Sequence, residues 1–401
     1  MRRFLYKATD PETGKNVKGI IQAETEQAAG KLLIAQGLAP DTIEAEDMNG
    51  WLAKMQNKVT PKDKITFTRQ FATLIGAGLP LSNALRTVND QTSAKGMKIV
   101  IEEVLADVES GKSLTDACAK HPEVFDRVYL ALVQAGEMSG TLDLSLKRLA
   151  DQQEKDAAVM AKIRGALTSP LITLAVIIAV MVFLMIEVVP QVEDLYVSLD
   201  KELPSLTSVM VAGANFLMHQ WYVILVMVVL IVWFVIWFLR TNVGIRWMAV
   251  FKLNVPMFKG LFLRLYNGRF ARTMQNLMST GVALLDSMQI SAEAMNNIVL
   301  QEQIEEAEKK VRAGKPLSEA LQGADYMLPL VPQMAAIGEE SGKMDEMLGK
   351  AAKVYEDELD EQVARISEMI EPVMMVAMGG MAGMIVAGIL FPIYSLVGSI
   401  G

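Results

Sequence analysis

The chain has 401 residues, 52% apolar and 21% charged, and its 38 Lys and Arg against 46 Asp and Glu give a net charge of −8. That balance excludes a disordered chain, which needs low hydrophobicity with high charge, and the acidic total argues against a nucleic-acid binder. One cysteine, Cys118, excludes a disulfide framework or Cys-rich zinc module, and two histidines, His121 and His219, leave little room for imidazole chemistry.

Residues 1–50 read as a small α/β module. Phe4-Leu-Tyr6-Lys-Ala8 alternates apolar and polar, Pro11-Glu-Thr-Gly14 is a turn, and residues 17–23 predict a second strand. A helix over 25–36 ends at Gly37, and Ile43 falls in a third short strand. Residues 51–63 read as a linker.

Residues 64–168 predict a bundle of short helices. Phe67, Phe71, Leu74 and Ile75 recur at helical spacing, Gly78 stops that helix and Pro80 restarts the chain. Ile99, Val100, Val104, Leu105 and Val108 form a second face ended by Gly111, and Ser113 is a candidate N-cap for the next segment. An apolar run ends at Gly136, and Ser139-Gly140-Thr141 opens a long helix from Leu142 towards the first of three apolar blocks.

A hydrocarbon core of about 30 Å needs about 20 apolar residues per helix. The blocks predict transmembrane helices over 169–190, 221–240 and 371–397, with Glu187 placed near an interface. Between the first two, the outer loop 191–220 holds Lys201 as its only Lys or Arg. After the second come Arg240, Arg246, Lys252, Lys259, Arg264, Arg269 and Arg272, with no acidic residue before Asp286. The positive flanks therefore place the N-terminus and both large polar regions in the cytoplasm and the C-terminus outside. Residues 241–265 are a cytoplasmic connection, and 266–370 form a second helical bundle. The fold expected is mainly α: a polytopic membrane protein with three spans, two homologous cytoplasmic bundles and the N-terminal module. Met1-Arg-Arg leads into a mixed stretch rather than the apolar core of a signal peptide.

The two bundles are copies. Phe67-Thr-Arg69 matches Phe270-Ala-Arg272 at an offset of 203 residues, and the segment containing Gly78 matches the one containing Gly281. Gly111-Lys-Ser-Leu114 matches Gly314-Lys-Pro-Leu317. Gly136-Glu137-Met-Ser-Gly140 falls on Gly338-Glu339-Glu-Ser-Gly342, and Pro170 and Pro190 fall on Pro372 and Pro392, at an offset of 202. The mirrored Arg69 with Glu137, and Arg272 with Glu339, suggest ion pairs tying the first helix of each bundle to its central turn. The alternative is two exposed charges. In the third block Gly379, Gly383 and Ala387 form a small-residue seam suited to close helix packing, within one chain or between subunits.

Gly111-Lys-Ser113 lacks the first glycine of a phosphate-binding loop, since Ala106 stands there, and Pro316 replaces the hydroxyl in the second copy. A helix boundary explains both copies better. No dinucleotide fingerprint, nucleophilic triad or metal cluster emerges. Asp194, Asp200 and Glu202 make the outer loop acidic, as a solvated loop or a cation site. No cofactor and no catalytic residue is expected.

The run from Phe67-Thr-Arg-Gln-Phe71 to Gly78-Leu-Pro-Leu81, then His121-Pro-x-x-Phe125 and Ala135-Gly-Glu137-x-Ser-Gly140-x-Leu142, resembles the GspF/PilC family, the inner-membrane platform proteins of type II secretion systems and type IV pili. Tyr6-Lys-Ala8 with Gly14-Lys and Lys18-Gly resembles that family's N-terminal module. The second copy departs from the pattern at Met274 and at Ala324-Asp-Tyr-Met. The resemblance implies a non-enzymatic protein of the bacterial inner membrane acting as a small homo-oligomer. Its partners would be a hexameric cytoplasmic assembly ATPase, pilin or pseudopilin subunits, other inner-membrane assembly proteins and the lipid bilayer, with no nucleic acid. Gln152-Gln-Glu-Lys155 leans towards the pilus branch over secretion. A transporter is the second hypothesis, opposed by spans that carry no charge except Glu187. A membrane scaffold outside pilus systems is the third.

Overall fold

The computed structural model describes residues 2–9, 16–23, 30, 32, 39–45, 58–198 and 205–398. The chain divides into two compact units, Met1–Phe71 with Leu79–Lys112, and Ala72–Gly78 with Ser113–Gly401.

In the first unit, β1 (Arg2–Thr9), β2 (Asn16–Ala23) and β3 (Ala39–Ala45) form an antiparallel sheet in the order β2-β1-β3. Leu5 faces Ile20 on one side and Glu44 on the other, and the register of β1 with β3 shifts between Lys7 and Ala8. Ala8 there meets Pro40, which has no N–H to give the ladder. Of the helix expected over 25–36, Gly30 and Leu32 are described and both are helical; the rest lies outside the described residues.

Helix α1 (Pro61–Gly76) starts inside the expected linker. Its start is a reciprocal capping box: Thr60 N–H donates to Asp63 at 3.0 Å and Asp63 N–H to the Thr60 hydroxyl at 3.3 Å, with Pro61 in the first helical position. α2 (Leu81–Gln91) and α3 (Lys95–Glu109) follow. Phe67, Phe71, Leu85, Val88, Ile101 and Val104 are buried in this unit, and the Phe67 and Phe71 rings stack at 5.5 Å.

The second unit contains α4 (Leu114–Ala119), α5 (Arg127–Ser139), α6 (Leu142–Ser198), α7 (Ser205–His219) and α8 (Trp221–Leu239). It continues with α9 (Asn242–Asn254), α10 (Pro256–Ser279), α11 (Leu284–Ala294) and α12 (Ile298–Arg312). The last three are α13 (Leu317–Gln322), α14 (Leu330–Ser341) and α15 (Met344–Gly398). Its main core gathers Phe270, Met274, Met288, Ile304, Leu321 and Leu348, and Val159, Ile163 and Ala166 of α6 pack against it.

The repeat is visible in element lengths: α3 and α12 have 15 residues each, α4 and α13 six each, and α6 and α15 have 57 and 55. It is visible in the backbone too. Gly78, Gly111 and Gly140 have φ of +84°, +92° and +72°, and Gly281, Gly314 and Gly342 have +87°, +93° and +71°.

The helices continue across the expected domain bounds. No break separates bundle from span near 168 or 370: α6 and α15 run through both, with Pro170 and Pro190 inside α6. A proline removes one intrahelical hydrogen bond, and the long helical runs on either side hold the axis together. At about 1.5 Å per residue α6 is about 85 Å long. The segment read as the outer loop 191–220 is largely helical, because α6 continues to Ser198 and α7 follows. Val192 and Tyr196, one turn apart, are buried, and Val189 packs with Val211 and Ala214 of α7. The connection 241–265 is α9 and the first turns of α10.

α6 and α8 are long and apolar enough to cross a membrane. No residue of α8 is buried, and Leu171, Phe183, Trp233 and Trp237 expose half or more of their area. Bare apolar surface on this scale is untenable in water and natural in lipid. The third block lies within α15, where Val373 and Val376 are likewise exposed.

Candidate functional site

The two Gly-Glu-x-Ser-Gly segments form the same device. α5 ends at Gly140 and α14 at Gly342, each in the left-handed region that favours glycine. The Thr141 N–H returns to the Gly136 carbonyl at 2.9 Å, and Lys343 N–H to Gly338 at 3.1 Å. This turn presses the next helix onto the first glycine: a Cβ on Gly136 would lie 3.0 Å from Leu142 Cα, and one on Gly338 would lie 2.8 Å from Met344 Cα.

Each glutamate reaches from that turn to a short helix. Glu137 accepts the N–H groups of Leu114 and Thr115 at 2.6 and 2.9 Å, and the Thr115 hydroxyl. Glu339 accepts the Leu317 N–H at 2.5 Å and the Ser318 hydroxyl at 2.6 Å. A carboxylate from a neighbouring helix therefore satisfies the orphan donors of α4 and α13. Ser113 adds its expected cap on Asp116 N–H at 3.0 Å, whereas Pro316 offers no side-chain acceptor in the second copy.

The expected Arg272–Glu339 pair does not form. Arg272 instead forks onto both carboxylate oxygens of Glu356 at 2.7 Å, and also donates to Gln275. Both Glu339 oxygens are occupied at the start of α13, while Glu356 stands on α15 beside α10, so a fork geometry is available there alone. In the first copy Glu137 likewise caps α4, and Arg69 is half-buried on α1.

Phe67 and Phe270 are both core residues. Pro372 lies inside α15. Gly379 and Gly383 have nothing within 4 Å of where a Cβ would stand, and Ala387 is exposed, so the described chain does not pack against the small-residue seam.

A charged cleft went unforeseen. Lys155 and Asp156 of α6 meet Arg269 and Arg272 of α10 and Glu356 of α15: Lys155 pairs with Glu356 at 3.1 Å and Asp156 with Arg269 at 3.5 Å. Burial raises the Glu356 carboxyl, but the Arg272 hydrogen bonds and charge, aided by Lys155, more than offset it and hold it below the usual range. Asp156 goes the other way, pushed up by burial that Arg269 only partly opposes. Asp156 and Arg269 also line a cavity of about 420 Å³ with Arg127, Gln152, Thr273 and Glu293. Gln152 bridges the repeats directly, taking the Asn276 amide at 2.6 Å and donating to Thr273 at 3.2 Å. On sequence Arg269 and Arg272 read as part of the positive flank after the second apolar block, with Arg272 also matched to Glu339, and Lys155 as the end of Gln152-Gln-Glu-Lys155.

Cys118 lies in α4, His121 in the turn after it, and His219 at the end of α7. Burial, with the nearby Glu137 charge adding to it, pushes the Cys118 thiol up to about 12, far from a reactive thiolate. The His121 carbonyl accepts from Val124 and Phe125 in the His-Pro-x-x-Phe turn, and His219 sits against the Asn215 carbonyl at the end of α7. Lys112 pairs with Asp107 at 2.7 Å. Among the described residues, no three His, Cys, Asp or Glu side chains gather as a metal site.

These features define a class: a membrane-anchored protein whose doubled helical bundle is held by capping glutamates and continued into long apolar helices. The family model described as "Type II secretion system (T2SS), protein F" matches twice, over residues 67–190 and 270–392, and the model of that protein's N-terminal domain matches residues 1–44. The chain belongs to this family. It is 36% identical over 403 residues to type IV pilus assembly protein PilC of Thermus thermophilus, covering 99% of this chain and 98% of that protein. It is 33% identical over 401 residues to PilC of Myxococcus xanthus, at 99% and 96% coverage. To type II secretion system protein F of Pseudomonas aeruginosa it is 32% identical over 404 residues, at 99% of both chains. The doubled match starts at Phe67 and Phe270, the residues that anchor the internal repeat. Family membership and the two apolar helices are consistent with an inner-membrane protein.

Proposed function

We propose that the chain is the assembly platform of a type IV pilus machine, coupling a hexameric cytoplasmic ATPase to extraction of pilin subunits and their addition to the filament. The observation that carries this reading is the continuity of bundle and apolar segment in α6 and α15. A force applied to either bundle is delivered to the membrane through one rigid helix. Full-length similarity to proteins named for type IV pilus assembly supports the pilus branch. The same degree of similarity to type II secretion protein F supports a second reading, a platform that exports folded proteins through a pseudopilus.

Three spans, a cytoplasmic N-terminus and an outward C-terminus belong to the proposal, as do the N-terminal α/β module and a small homo-oligomer. The basic residues after α8 and the near absence of basic residues in 191–220 support the orientation. In-frame deletion of the gene, with sheared surface pilin and secreted proteins assayed side by side, tests the function. Loss of filaments with intact secretion is the expected outcome. Retained filaments with substrate trapped behind the membrane would establish the secretion reading, and no change in either would overturn both.

A further inference from the structure

Helix α9 leaves α8 through a tight elbow. Thr241 caps it by accepting Gly244 N–H at 3.1 Å, while its hydroxyl donates back to the Phe238 carbonyl at 2.6 Å. One face of α9 is satisfied by the protein: Ala249 and Leu253 are buried, Arg246 forks onto Glu302 at 3.0 and 3.1 Å, and Asn297 donates to the Ala249 carbonyl at 3.4 Å. The adjoining face is apolar and bare. Val243, Trp247, Val250 and Phe251 follow one another at helical spacing, and are 71%, 53%, 40% and 46% exposed.

What covers that face is indicated by what it continues. The rings of Phe234, Phe238, Trp247 and Phe251 form an unbroken ladder, with centroid separations of 6.3, 6.3 and 5.2 Å, running from the bare apolar α8 round the elbow onto α9. Exposed Arg240 and Lys259 flank the helix, and no acidic residue occurs between Arg240 and Asp286. An aromatic stripe beside basic side chains, at the end of an apolar helix, suits the zone where acyl chains meet phosphate headgroups.

We infer that α9 is an interfacial helix whose Val243–Trp247–Val250–Phe251 face lies in the headgroup region of the lipid bilayer, with Arg240 and Lys259 directed at lipid phosphates. It rests on the membrane placement of α8 and adds a lipid-binding surface to the platform. The bilayer then fixes the direction in which α10 leaves the membrane, and with it the root of the second bundle.

The test places a nitroxide label at Val243→Cys or Val250→Cys in the full-length protein, reconstituted in vesicles of phosphatidylethanolamine and phosphatidylglycerol. Buried Cys118 is shielded from labelling of the folded chain. Val228→Cys on α8 serves as the lipid reference and Glu306→Cys on α12 as the aqueous one. Collision rates with oxygen and with a water-soluble nickel chelate are compared. At 243 and 250 the oxygen-to-nickel ratio should exceed that at 306 several-fold and approach that at 228. A ratio equal to that at 306 would place the face in water and overturn the inference while α8 stays in lipid. Low access to both reagents would mean that protein, a second copy included, covers the face, and would overturn it equally. A water-like ratio at 228 as well would remove the membrane placement and the inference together.

Discussion

Arg272 holds Glu356 through two parallel hydrogen bonds of 2.7 Å, so the first helix of the second bundle is locked onto the helix that continues into the third apolar block. The side chains keep 17% and 26% of their exposure, and a one-sided break removes charge-assisted bonds that the remaining partner cannot replace in the protein. Arg272→Leu should destabilise the detergent-solubilised chain by about 2 kcal/mol. Exchanging the charges with Arg272→Glu and Glu356→Arg should recover part of that loss. Exchanging Arg272 with Glu339 should recover none, since Glu339 serves α13. Thermal unfolding of the three variants decides between the partners. Because Glu356 is held below its usual value, its contribution is present above about 4.5, the unfolded value, and disappears as pH falls through the lower folded value.

The capping glutamates should differ in weight. Removing a cap costs about 1–2 kcal/mol. Glu339→Ala leaves α13 with Pro316 and no side-chain acceptor at its start, whereas Glu137→Ala leaves the Ser113 bond to Asp116 intact on α4. The melting temperature should therefore fall further for Glu339→Ala. Equal falls would mean that the third bond accepted by Glu137 offsets the Ser113 cap or that the cap contributes nothing, and Ser113→Ala in the Glu137→Ala background separates the two.

What the sequence revealed and concealed divides along local and tertiary lines. Gly78, Gly140 and their counterparts were legible because a positive φ is a local demand that the residue type records, and Phe67 and Phe270 because helical spacing records a buried face. The partners of Arg272 and Glu339 were not, since two charges repeated at equal offsets say only that each environment is repeated. Glu356 sits in the charged run Tyr355-Glu-Asp-Glu-Leu-Asp-Glu361, which reads as a solvated face until α10 is laid against it. α7 was hidden because 191–220 read as the connection between two apolar blocks, whereas Val211 and Ala214 of α7 pack on Val189 of α6, a tertiary contact the sequence does not record.

Asp156 supplies a pH test of the cleft. Its carboxyl is raised by burial, so the native state disfavours its charged form. The penalty is complete above the folded value and vanishes below the ordinary value of 3.8. Asp156→Asn should raise the melting temperature at neutral pH, with the difference shrinking as the solution is acidified. A drop at neutral pH would show that the Arg269 contact at 3.5 Å outweighs burial.

The elbow between α8 and α9 depends on one missing side chain. A Cβ on Gly244 would stand 1.9 Å from the Phe238 carbonyl oxygen and 3.2 Å from Leu239 Cα. Both are backbone atoms that no rotamer change can move aside, so Gly244→Ala must open the turn itself. Thr241→Ala keeps the approach and loses only the cap, an effect of about 1 kcal/mol. The alanine at 244 should therefore destabilise the chain more than the alanine at 241. It should also lengthen the distance between labels at Phe234→Cys and Val250→Cys, measured by electron–electron resonance in vesicles. An unchanged distance with unchanged melting would show that the elbow has slack elsewhere, most directly at Asn242. In that event the ladder from Phe238 to Trp247 would follow from packing on lipid and neighbouring helices instead of from the turn.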